Sequence, residues 1–206
     1  MLFDILSLIS ILIVLALLKR IICILPKVVT CLFRWKENVN IDTSLRLRTE
    51  RDLASAAMLM PFCLLASRFG LYSPDFISGL SQNARIGITT AVFFGYLILR
   101  LLLIIAMRPK KMSSAIYHAA TSTEHTYFII LTAVLLAVGG IMSLAGASPQ
   151  ATKVAMFWLS GIIYTVFLTR KLQIFSSSCN LFMSFLYLCA LEILPTGVLV
   201  ASAVIF

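Results

Sequence analysis

Apolar residues run almost unbroken through six stretches of the chain, 2–18, 53–71, 88–107, 128–147, 154–169 and 181–206, and the charged residues collect between them. A helix that crosses a bilayer needs about 20 predominantly apolar residues, because its backbone can be satisfied only internally there. The pattern therefore predicts an all-α fold, a polytopic membrane protein built as a bundle of six transmembrane helices in one integral membrane domain, 1–206. No positive n-region precedes 2–18 and no small-x-small cleavage site follows it, so this span is expected to stay as an anchor.

The stretches between the spans refine that picture. Residues 21–35 mix apolar positions with Lys27 and Arg34 around Pro26, a pattern that suits a basic interfacial segment after the first span, with Trp35 at headgroup level. The rival reading runs the first helix through it. Residues 36–52 are the most polar of the chain and predict a cytoplasmic connector, where Asp42, Thr43 or Ser44 caps a helix with Arg46, Arg48 and Arg51 on its surface. It is either a solvated connector or a docking surface. Residues 113–127 are mildly amphipathic and lead into the fourth span, where Gly139, Ser143 and Ala147 fall four apart on one face. Small residues so spaced let helices approach closely, here toward the fifth span and its Ser160 and Gly161.

Composition agrees with this reading and narrows the function. The 206 residues are 61% hydrophobic and 12% charged, against about a quarter charged in soluble domains. The formal net charge is +9, but the basic residues lie between the spans. Lys19, Arg20, Lys27, Arg34, Arg46, Arg48 and Arg51 are read as a surface for anionic headgroups or a protein partner, not for nucleic acid. Lys and Arg concentrate in the first, third and fifth connections, which places those in the cytoplasm and both termini outside. In a bacterium this is the inner membrane with periplasmic termini. The cysteines Cys23, Cys31, Cys63, Cys179 and Cys189 sit in or beside apolar runs without metal-ligand spacing and read as filler.

Two charges interrupt the spans. Glu192 lies near the middle of the last and Arg100 well inside the third, and an ionisable group at membrane depth is costly unless partnered. Either the two form an intramembrane pair, or Arg100 snorkels to the headgroups and Glu192 is neutral and hydrogen-bonded. Pro195, three residues past Glu192, removes a backbone donor and predicts a kink, as Pro61 does in the second span. His118, Glu124 and His125 form a weak metal or acid-base candidate, since on a helix the two histidines are two turns apart, about 10 Å. Glu124-His125 reads better as an interfacial helix start. No HExxH, nucleophile elbow, Walker loop or dinucleotide fingerprint occurs.

The closing run Phe185-Leu186-Tyr187-Leu188-Cys189-Ala190-Leu191-Glu192-Ile193-Leu194-Pro195 resembles that of a family of uncharacterised multi-pass membrane proteins of Bacteroidota, a domain-of-unknown-function family. The resemblance implies an envelope location and weight on Glu192 and Pro195, and it implies no reaction. The expectation is a non-enzymatic inner-membrane accessory or assembly subunit that needs no cofactor or metal and binds other envelope proteins. A small transporter or proton-coupled channel using Glu192 is the alternative, and an intramembrane enzyme the third.

Overall fold

The computed structural model describes residues 2–72, 74, 79–107, 114–177 and 180–205. Helix α1 is Leu2–Phe33, α2 Trp35–Thr43, α3 Leu45–Arg68, α4 Gln82–Ala106, α5 Ser114–Leu144 and α6 Pro149–Ser176. The closing helix comes in three pieces, α7 Leu181–Leu188, a π-helical turn Cys189–Ile193 and α8 Leu194–Ile205. Among the described residues, five segments are long and apolar enough to cross a membrane: Asp4–Phe33, Gln82–Ala106, Ile116–Leu144, Pro149–Ser176 and Leu181–Ala203. The chain is an all-helical membrane protein. The segment of α3 past Asp52 is apolar, but its first two turns carry Arg46, Arg48, Glu50, Arg51 and Asp52, which keeps it out of that group.

Several boundaries differ from those read in the sequence. Residues 21–33 continue α1 and do not form a separate interfacial segment, and the break falls at Arg34. Packing is the reason. Ile21, Ile24, Val28 and Cys31 make one buried stripe, and the first three join Ala54 and Met58 of α3, Tyr127, Ile129 and Ile130 of α5, and Phe167 of α6 in a core. Pro26 lies on the opposite, exposed face, where its ring and lost donor disturb no contact of that stripe. Residues 36–52 are helical on either side of Ser44, which, as one of the three cap residues the sequence offers, holds the N-cap position of α3 without a side-chain cap bond. Residues 114–127 are the opening turns of α5, and α6 extends past Thr169 to Ser176.

The central element is α5, which packs most extensively on α6 and also touches α1, α2 and α3, while α4 lies against α3 and the closing helix. An aromatic trio joins three of them. The rings of Phe62 and Phe93 are 4.7 Å apart and those of Phe62 and Phe128 are 5.2 Å apart. Outward faces are apolar: Leu8, Leu12 and Leu15 on α1, Ile98 and Leu102 on α4, Phe157 and Trp158 on α6, and Phe182 and Phe185 on α7 are exposed. Such surface suits lipid.

Gly139 sits in the α5–α6 crossing, where an added Cβ would come 2.8 Å from Met156 Cε and 3.4 Å from the Phe69 ring. Ser143 is exposed, and Ala147 lies beyond the end of α5, in the turn where Gly146 adopts φ +67°. The small-residue stripe thus reduces to Gly139. A side chain four residues on is already rotated by about 40°, and the helix ends before a third repeat. Gly161 has open space around its Cβ position and adds nothing to the contact. The turn read at Ser73-Pro74-Asp75 and the basic run Arg108-Pro109-Lys110-Lys111 lie largely outside the described residues, as does Cys179. Cys31 and Cys63 are buried, while Cys23 is exposed.

Candidate functional site

Charged side chains from α4, α5, α6 and the π turn converge inside the bundle. Arg100 Nη2 and Lys171 Nζ both contact Glu192 Oε1, and Arg100 Nη1 contacts Glu124 Oε2. Two cations and two carboxylates therefore form one connected set with no net charge. Lys171 has no exposed side-chain surface, Glu192 1% and Arg100 6%, whereas Glu124 retains 24%. Charges this deeply buried persist only when each is paired, since an unpartnered one costs several kcal/mol.

Each member is placed by its helix. Lys171 lies between Phe167 and Phe175, one turn to either side, with its ammonium 5.5 Å and 5.9 Å from their ring centres. The aromatic faces attract the cation and leave Glu192 as its anionic contact. Arg170, its neighbour in sequence, points elsewhere. Its Nε donates to the Leu32 carbonyl at 3.0 Å, because successive residues of a helix face about 100° apart.

The π turn sets Glu192. Leu194 N–H donates to the Cys189 carbonyl, five residues back, so one extra residue is accommodated just before Pro195. Pro195 has no N–H and its ring crowds the carbonyl four residues earlier, and widening the turn relieves that conflict. Tyr164 of α6 donates to the Glu192 carbonyl at 3.1 Å, and the Tyr96 and Thr196 hydroxyls are 3.2 Å apart. The irregular turn is thus tied to both α6 and α4. Pro61, by contrast, is buried within an uninterrupted α3.

A second group continues the layer toward α2 and α3. Arg51 has a fully buried side chain and is held by Asp42 at 3.3 Å and Asp52 at 2.9 Å, with Ser122 donating to Asp42 at 3.0 Å. Read in the sequence as a surface arginine, Arg51 is an interior one. The neighbouring acids explain this, since they let its guanidinium leave water. One turn on, Ser55 Oγ lies 3.1 Å from His125 Nδ1, and His125 Nε2 lies 3.8 Å from Glu124 Oε1. Lys19, Arg20, Lys27, Arg34 and Arg46 are exposed, with Arg48 partly so. Arg20 stands 4.0 Å from Glu50.

The polar layer has a definite height. Counted from Arg100 to Gln82, Glu124 to Leu144 and Lys171 to Pro149 at about 1.5 Å per residue, it lies about 27, 30 and 33 Å from the far ends of α4, α5 and α6. A hydrocarbon core is about 30 Å thick. Of the residues singled out in the sequence, Arg100 and Glu192 are brought into contact, while His118 is not joined to Glu124 and His125 in any group able to hold a metal among the described residues. Lys171 escaped the sequence reading because it adjoins Arg170 at the edge of an apolar run, and Glu124, singled out there with His118 and His125, was read as an interfacial helix start and not as a partner of Arg100.

A profile of the family described as "Domain of unknown function (DUF4271)" matches residues 4–202. The chain belongs to that family. No curated protein and no solved structure matches it.

Proposed function

We propose that this DUF4271 chain is a non-enzymatic component of a bacterial inner membrane, an accessory or assembly subunit that binds other envelope proteins. In this reading α3 is a sixth crossing, the termini are periplasmic, and the exposed basic residues of α1 and α3 meet anionic headgroups or a partner. One observation carries it: the interior charges are matched within the chain, with Glu192 held between Arg100 and Lys171, which is the chemistry of a fixed bundle. The test is mild-detergent capture of the tagged protein from native membranes. Repeated co-recovery of the same membrane partner supports the reading, and repeated recovery of the chain alone counts against it.

A proton-coupled transporter is the second reading, favoured by the π turn at Glu192 beside Pro195, since irregular turns and buried carboxylates are features of transport sites. Proteoliposomes carrying a pH-sensitive dye test it. A proton leak or substrate-driven pH change absent from empty vesicles supports transport, and indistinguishable traces oppose it.

A further inference from the structure

We propose that the polar layer is a proton-binding site whose titrating carboxylate is Glu124, with Glu192 remaining ionised. This goes beyond the accessory-subunit reading and differs from the transport reading in the residue that takes the proton. The two carboxylates share Arg100 but are otherwise unlike. Glu192 is closed off from solvent and receives both Arg100 and Lys171 on one oxygen. Glu124 is about a quarter exposed, has Arg100 as its cation, and stands beside His125, whose side chain is 40% exposed.

Either proton leaves one carboxylate for two cations, so the contacts separate them. A proton on Glu192 would leave Lys171 facing a neutral acid in a desolvated site, with the remaining carboxylate, Glu124, in contact with Arg100 and not with Lys171. A proton on Glu124 leaves Arg100 still paired with Glu192, and the neutralised acid is the one nearest water. The second arrangement strands no isolated charge, and buried unpaired charge is the dominant cost in such a site. Two acids joined through one cation titrate as a coupled pair, so a proton that enters the pair resides on the member with less cationic support.

The acids of the neighbouring helices are paired among themselves. On α2 and α3, Asp42 and Asp52 are occupied by Arg51, with Arg48 4.0 Å and 3.9 Å from them, and Ser55 faces His125. Ser122 of α5 donates to Asp42. On α4 the facing charge is Arg100, on α6 Lys171, and on the π turn Glu192. Arg100 Nε is buried with no hydrogen-bond partner among the described residues, a donor placed for a bound water beside the carboxylates. The chemistry is a single step. A proton from water adds to the Glu124 carboxylate, which becomes neutral and releases one side of Arg100, and deprotonation restores the bridge. The link from α4 to α5 is thereby proton-controlled, while the link from α4 through the π turn to α6 persists.

Infrared difference spectroscopy on the full chain in lipid nanodiscs, stepped between neutral and mildly acidic buffer, reads this directly. With ¹³C-labelled glutamate the wild type should show a carboxylic-acid C=O band that carries the isotope shift. That band should vanish in Glu124→Gln and persist, with its isotope shift, in Glu192→Asp, where an unlabelled carboxylate still faces Arg100 and Lys171. If Glu192→Asp does not fold, Glu124→Asp decides alone, since it leaves Glu192 labelled and in place. Glu124→Asp should restore a band without the isotope shift. A wild type with no protonation band, a band surviving Glu124→Gln, or one that loses its isotope shift in Glu192→Asp would each overturn the assignment. No flux is measured, so a chain that titrates at Glu124 yet moves no protons removes the transport reading and leaves this one standing.

Discussion

Glu192 and Glu124 are the same amino acid in the same cluster, yet they should differ in what their removal does. Glu192 faces two buried cations and Glu124 one, and Glu124 keeps contact with solvent. Breaking a buried pair costs about 3 to 5 kcal/mol, because the partner's charge is left uncompensated. Glu192→Gln is expected to fall in or above that range and Glu124→Gln below it, so thermal unfolding in detergent should rank wild type, Glu124→Gln, then Glu192→Gln. The reverse order would mean that Lys171 does not depend on Glu192. The same contrast explains what was legible in the sequence. Arg100 and Glu192 stand alone in apolar runs and announce themselves by their cost. Lys171 follows Arg170 in what reads as a basic connector, and only helical rotation separates the one that turns inward from the one that reaches the Leu32 carbonyl. Glu124 is visible in the sequence beside His125, but as a helix start, with nothing to point it at Arg100.

At the scale of elements, α5 and α6 meet where Gly139 admits Met156 and Phe69. Gly139→Leu must displace both, and overpacking of this kind costs about 1 to 3 kcal/mol. Gly139→Ala should cost less, since the nearest atom is the flexible end of a methionine. Gly161→Leu, on the adjacent helix with open space at its Cβ, should leave thermal stability within about 0.5 kcal/mol of wild type, as changes away from packed features do. Equal melting temperatures for Gly139→Leu and Gly161→Leu would remove the close crossing from the account. Helix existence was readable throughout, because long apolar runs permit little else in a membrane. Helix ends were not. The extensions of α1 to Phe33, of α5 back to Ser114 and of α6 to Ser176 carry polar residues that read as connectors, and they are helical because their inward faces join the core.

For the whole molecule, orientation and clamping are separable. Reporter fusions within residues 36–52 and after Arg170 are expected to report the cytoplasm, and one at Phe206 the periplasm, following the basic residues of the connections. A cytoplasmic C-terminus would mean that α3 does not cross, leaving the five long apolar helices as the spans. Clamping concerns the charge set that joins α4, α5, α6 and the π turn. The sequence paired Arg100 with Glu192 alone, which makes their double removal the natural compensated variant. With four members that variant instead strands Lys171 and Glu124 apart from each other, and the neutral deletion becomes Lys171 with Glu192. The decisive measurement is a thermal-stability cycle of wild type, Lys171→Met, Glu192→Gln and Lys171→Met/Glu192→Gln in one detergent. The double variant should melt above Glu192→Gln alone, because Arg100 and Glu124 remain as an intact pair and no buried cation is left over. A double variant whose loss equals the sum of the two single losses would contradict it.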